Sequence, residues 1–236
     1  MAFIRPYQPT DFEATAFICR ATLPPSLAKS PAGVKLSPYL WTHQYMELSP
    51  SHCFVLDDGS GRCVGYVIGT PDVFAFAAAY HGYVAKHLSA PDMTPRQMET
   101  REAWTTADGE VNEQALLQLA REPRWLLLEG VEGKEEMVQR YRGTMHIDML
   151  EDWQGKGWGR KMIGQFMESV KRRQGERLPV VLADGSAQEM MLDSGKGVHI
   201  GISGENTKVV KFYEKVGFRV QEGGEREGGV WMVYDF

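Results

Sequence analysis

The sequence predicts an α/β (α+β) fold in one domain, interrupted by a long helical insertion. Three stretches carry that reading. Thr144–Leu150 alternates apolar Met145, Ile147 and Met149 with polar Thr144, His146 and Asp148, and is followed by a glycine-rich turn and an amphipathic helix. Two apolar runs, Cys53–Asp57 and Arg62–Thr70, flank Asp58-Gly59-Ser60-Gly61, a hairpin signal. Between Thr70 and Thr144 lies a stretch with no repeat and no low-complexity run, so residues 73–142 read as an ordered insertion rather than a linker.

The remaining elements follow in chain order. Phe3–Pro6 is a first strand, and Thr10-Asp11-Phe12-Glu13 reads as a capping box opening a helix through Phe17 and Cys19. Leu23–Pro38, rich in proline, serine and small residues, reads as a loop, and Tyr39–Leu48 as a short helix stopped by Pro50. Within the insertion, 73–87, 94–102, 112–121 and 133–142 read as helices. Leu178–Ala183 is a short strand, Gly185–Gly197 a mobile, turn-rich loop and Gly197–Ser203 a strand. Asn206–Val216 is the last helix, capped by Gly217, and Phe218–Gln221 with Val230–Phe236 closes the chain as a hairpin.

A chain of 236 residues can bury a full core. Its net charge of −5 offers no basic surplus for nucleic acid and slightly favours a cationic acceptor. Cys19, Cys53 and Cys63 are scattered, with no paired spacing for zinc, so they read as reduced core thiols and no metal is expected. MAFIRPYQPTDFE carries charges where a signal peptide would be apolar, and no run is long enough to span a bilayer. The expectation is a cytoplasmic protein, with the nucleus left open, acting without membrane or nucleic acid as monomer or homodimer.

The turn Gln154-Gly155-Lys156-Gly157-Trp158-Gly159 precedes a helix whose Met162, Ile163, Phe166, Met167 and Val170 share one face. Glycines at a helix start let a ligand approach the backbone. The free N–H groups and the helix dipole then make an anion site suited to phosphate or pyrophosphate. Lys156, Arg160 and Lys161 add positive charge. Lys161 is followed by Met162, which a Walker loop does not allow, and Arg160 stands where a dinucleotide fingerprint needs its third glycine. What remains is Q-x-x-G-x-G, filled by Gln154, Gly157 and Gly159, and it resembles the acyl-CoA pyrophosphate loop of the GNAT-fold N-acetyltransferases. A second stretch, Asn206 to Phe218, resembles the same family's N-x-x-A-x-x-x-Y-x-x-x-G-F signature, with Val209 at the alanine position.

The resemblance covers residues 3–72 and 143–236 and implies a mixed, mostly antiparallel sheet of about seven strands with helices on both faces. It also implies acetyl-CoA as co-substrate. The pantetheine arm would pair with backbone groups of Met149 and Leu150 where the fourth and fifth strands part. Residues Gln154 to Gly159, with Arg160, would take the pyrophosphate, and Asn206 would touch the arm from the other side. Tyr213 aligns with the tyrosine that protonates the departing thiolate, and a packed core tyrosine is the alternative for it.

The family has no fixed base. Asp148, His146 and His199 stand open for that role, against hydrogen-bonded core residues as the alternative for the histidines. The expected reaction is acetyl transfer to a primary amine, of a small molecule, by direct attack in a ternary complex. Two other readings stay open: a protein or histone lysine acetyltransferase, and a catalytically weak acyl-CoA-binding module. The last arises because the insertion and the H-I-D-M-L strand are similar to the acetyltransferase-like domain of O-GlcNAc hydrolases. The insertion is expected near the acceptor side of the cleft, with Val73, Phe74, Phe76 and Tyr80 as lining residues or as a buried helix face.

Overall fold

The computed structural model describes residues 1–129, 133–226 and 229–236; residues 130–132 and 227–228 lie outside them. The strands are β1 (Phe3–Pro6), β2 (Phe54–Asp57), β3 (Cys63–Thr70), β4 (Gly143–Met149), β5 (Arg177–Val181), β6 (Ala187–Met191), β7 (Gly197–Ser203), β8 (Arg219–Arg226) and β9 (Gly229–Asp235). Seven of them form one sheet in the order β1-β2-β3-β4-β7-β9-β8, and β5 pairs with β6 apart from it. Every pairing is antiparallel except β4 with β7.

That exception makes the cleft. β4 and β7 pair in register only at Gly143↔Val198 and Thr144↔His199 among the described residues. β4 then stays with β3 as far as Gly65↔Met149, while β7 stays with β9 as far as Ser203↔Gly229. Each strand is held by its own antiparallel partner, so the two part and leave unpaired backbone edges between them.

The helices are α1 (Phe12–Ala21), α2 (Pro25–Ala28), α3 (Pro31–Trp41), α4 (His43–Leu48), α5 (Val73–His87), α6 (Glu113–Arg121), α7 (Lys134–Arg140), α8 (Trp158–Arg172) and α9 (Val210–Lys215). They cover both faces. On one, Tyr66 and Ile68 of β3 pack with Ile18, Leu36, Leu40, Tyr45, Phe76, Tyr80 and Leu116 of α1, α3, α4, α5 and α6. On the other, Val67 and Met145 pack with Met162, Phe166 and Val170 of α8, and with Val198 and Ile200 of β7. His146 and Asp148, one pleat out of phase with Met145, share the first face with Tyr66 and Ile68.

Several sequence expectations change. The 23–38 loop contains two helices: Ser30 accepts from the Gly33 amide at 3.1 Å and Pro31 sits in the first turn, so Ser-Pro starts α3 and burial of Leu36 and Leu40 carries it through Pro38. The capping box lies earlier than expected, on Gln8 and Asp11, because Asp11 accepts from the Gln8 amide at 2.9 Å. Residues 94–102 are not helical. Gln118 of α6 replaces a helical ladder there, donating to the carbonyls of Gln97 and Thr100 and accepting from the Glu102 amide. Residues 187–191 are a strand rather than loop, since Asp184 caps a tight turn and β6 pairs back along β5. The last helix opens as a 3-10 turn, Gly204–Val209, kinked at Asn206, before α9.

The stem of the insertion is clamped. The Val73 amide donates to the Arg142 carbonyl at 2.9 Å, and the Arg142 guanidinium meets the buried Asp72 carboxylate at 2.9 Å and Asp193 at 2.9 Å. Asp72 also caps α5. All three cysteines are buried free thiols, which burial pushes up. Among the described residues no helix is long and apolar enough to cross a membrane.

Candidate active site

Gly155 and Gly157 hold φ of +71° and +82°, and a Cβ on either would meet nothing within 4 Å. Both therefore face open space in front of α8, whose N-cap Gly157 supplies no capping side chain. The first-turn N–H groups of this 15-residue helix are left for a ligand, as a pyrophosphate would need. Gly159 does something different: its Cβ would come 2.8 Å from Phe212, so it lets α9 pack on α8. Lys156 stands 5.6 Å from the Trp153 ring and Lys161 4.6 Å from the Trp158 ring, while Arg160 donates to the Lys215 carbonyl at 3.0 Å. The loop thus has the space, the donors and the charge to hold the phosphates of acetyl-CoA.

At the end of β4 the backbone groups of Met149 and Leu150 are placed differently. The Leu150 amide donates to Val64 at 3.0 Å and its carbonyl accepts from Trp153 at 2.8 Å, so Leu150 is committed on both sides. Alternation along the strand turns the Met149 amide the opposite way, towards the gap. The Met149 carbonyl accepts from Gln154 Nε2 at 2.9 Å, which joins the glycine turn to the strand.

Asp148 lies near the end of β4 and Tyr213 on α9, and the charge of the first reaches the second. Asp148 is half-buried, and desolvation raises its carboxyl above the usual value against the hydrogen bond from Tyr66. Tyr66 Oη donates to Asp148 Oδ2 at 2.6 Å. Burial first, and the Asp148 charge second, push the Tyr213 phenol up. The Tyr213 ring meets Phe212 and Phe218 edge-on at 5.2 and 5.5 Å. Among the described residues its hydroxyl has no hydrogen bond, unlike that of a tied core tyrosine such as Tyr80, which donates to Ala120.

His146 and His199 form a separate pair. Both line a cavity of about 190 Å³ with Leu40, Trp41, Tyr45 and Trp231. His199 Nδ1 lies 2.7 Å from the Tyr141 carbonyl, so Nδ1 carries the proton and donates. Burial lowers both rings to about 4, so both are neutral at pH 7. Asn206 is exposed at the kink before α9.

The insertion reaches this region by other residues than those expected. Phe76 and Tyr80 are buried core, Phe76 stacking on Tyr45 at 5.0 Å. Val73 is fully buried, and the Phe74 ring lies under the Arg142 guanidinium at 4.9 Å. It is Leu126, Leu127 and Lys134 that line the histidine cavity, two of them on a π-helical turn, Arg124–Leu128. Tyr66, Lys134 and Trp231 were not singled out from the sequence. Tyr66 could have been found by pairing the third and fourth strands, which sets it opposite Asp148.

A strand pair that splays beside a glycine turn and a helix N-terminus defines the class of acyl-CoA N-acyltransferase folds. The solved structures agree. The crystal structure of SsHAT is similar at a TM-score of 0.68 and 26% identity, covering 99% of this chain and 98% of that one. PH1933 from Pyrococcus horikoshii OT3 matches at 0.53 and 11% identity, over 100% and 99% of the two chains. The PaiA N-acetyltransferase from Thermoplasma acidophilum, solved with coenzyme A, matches at 0.51 and 10%, again over 100% and 99%. No family model matches the sequence. The chain has the GNAT fold, which supports acetyl-CoA-dependent N-acetyl transfer in general.

Proposed function

We propose that the protein transfers an acetyl group from acetyl-CoA to a primary amine of a small molecule, by direct attack in a ternary complex. The observation that carries this is the splay of β4 from β7 beside the open glycine turn in front of α8. Asp148 takes a proton from the incoming ammonium, and the neutral amine attacks the thioester carbonyl. The Met149 amide faces the gap and supports the developing oxyanion. As the C–S bond breaks, Tyr213 gives its proton to the thiolate and regains one from the new amide nitrogen. Protonation of Asp148 removes the lesser of the two causes that raise the Tyr213 phenol, burial being the larger. Asp148 is favoured for the base role by its place one residue before Met149, and burial raises its carboxyl.

The test is release of free thiol from acetyl-CoA across a panel of small amines, amino acids and lysine peptides. Turnover with small amines supports the reading. Acetyl-CoA binding without turnover on any acceptor would instead make the chain a binding module.

A further inference from the structure

The chain between α1 and α2 crosses the gap that β4 and β7 leave. The two strands run parallel, and their pairing, Gly143↔Val198 and Thr144↔His199, would set Asp148 opposite Ser203 if it continued. The strands have parted by then, so Asp148 and Ser203 stand on opposite lips of the gap. On the first lip α1 packs against β4. Burial chiefly, with the Asp148 charge adding to it, pushes the thiol of Cys19 near the end of α1 up. On the second lip stands Glu205, two residues past the end of β7. Its carboxylate accepts from the Ser26 amide at 3.3 Å and from Ser26 Oγ at 2.5 Å.

We infer that residues 22–26 are a lid over the acceptor side of the gap, latched by Glu205 on Ser26, and that an acceptor reaches Asp148 when the latch opens. The acceptor's part in this rests on the proposed acetyl transfer; the latch itself does not. The local sequence explains why the hold comes from so far along the chain. Pro24 is the N-cap of α2 and has no side-chain oxygen to accept from its first turn, so Glu205 supplies one from across the gap. Pro24 and Pro25 fix their own φ, so the lid is stiff where it crosses and moves as one piece. Ser26 and Glu205 are both exposed, and water competes for such bonds, so the latch opens without disturbing the core.

The latch is tested without catalysis by trypsin, which cuts after Lys29, exposed at the end of α2. Glu205→Ala should speed that cut at least about threefold, because cleavage tracks the open population, with cuts elsewhere unchanged. An unchanged rate overturns the inference. The lid is then locked by joining Ser26→Cys to Glu205→Cys with a short bis-methanethiosulfonate linker; the three native thiols are buried and stay unmodified. Acetylated amine, read by mass, should form at least about tenfold more slowly in the locked protein and recover on reduction with dithiothreitol. Calorimetry should show acetyl-CoA binding unchanged in both states. Full turnover in the locked protein overturns the inference. If a thermal melt shows the double variant unfolded, the Glu205→Ala cleavage rate decides. Faster cleavage of Glu205→Ala beside a wild type that acetylates no amine would sink the proposed reaction and leave the latch standing.

Discussion

Tyr66 and Asp148 are direct partners in the β3–β4 register, and the Tyr66 hydroxyl donates to Asp148 Oδ2 at 2.6 Å. The bond favours the ionised carboxylate, while burial of the site favours the neutral acid. Tyr66 therefore sets how basic Asp148 is. Tyr66→Phe removes a force that lowers the Asp148 carboxyl, so its pKa should rise further. The acid limb of the kcat/KM profile for acetyl transfer should move to higher pH. An unmoved limb, with the fold intact by circular dichroism, would separate Asp148 from the proton transfer.

Tyr213→Phe removes one hydroxyl that has no hydrogen bond among the described residues. Turnover should fall about 100-fold, the usual scale for a lost acid–base group, with acetyl-CoA affinity nearly unchanged. Steady-state rates beside calorimetry check both halves, and equal loss of rate and affinity would point to packing against Phe212 and Phe218 instead.

Gly157→Val places a branched side chain at φ +82° and into the open space before α8. Acetyl-CoA binding should be lost, and the strained backbone should cost about 1–2 kcal/mol of stability. Gly164→Ala is the control: it lies mid-helix on α8 with nothing near its Cβ, and should leave binding intact while stabilising by about 1 kcal/mol.

Phe76→Ala should act on stability. The ring is buried and stacked on Tyr45, so its removal leaves a cavity worth about 3–5 kcal/mol in chemical denaturation. A change in acceptor KM at unchanged stability would return Phe76 to the acceptor wall.

Acid should destabilise the fold through its buried histidines. His52, His146 and His199 are lowered to about 4 and His43 to about 3, chiefly by burial. Between pH 4 and 6.5 the unfolded chain binds protons that the folded chain does not. Stability thus rises with pH across that window and is lost as pH falls through it, by up to about 1.4 kcal/mol per unit for each ring. Melting temperatures from pH 7 down to 5 should drop steeply, and His52→Gln should flatten the slope.

The sequence by itself determined the elements whose causes are local. The alternation of Met145, Ile147 and Met149, the glycines at 155 and 157, and the apolar stripe of α8 each act within a few residues, and each lies where it was read. The α5 span was also legible end to end, from Val73 to His87. What depended on distant partners was not. The helix inside 23–38 needed the core around Leu36 and Leu40, the irregular path of 94–102 needed Gln118, and β6 needed β5. The site divides in the same way. Tyr213 could be named from its motif and Asp148 from the polar face of β4. Tyr66 carries no motif at all. Its meaning comes from register and burial: a phenol opposite a carboxylate. Register and burial are properties of the assembled chain, because they depend on which residues the fold places against one another and how far it removes them from water.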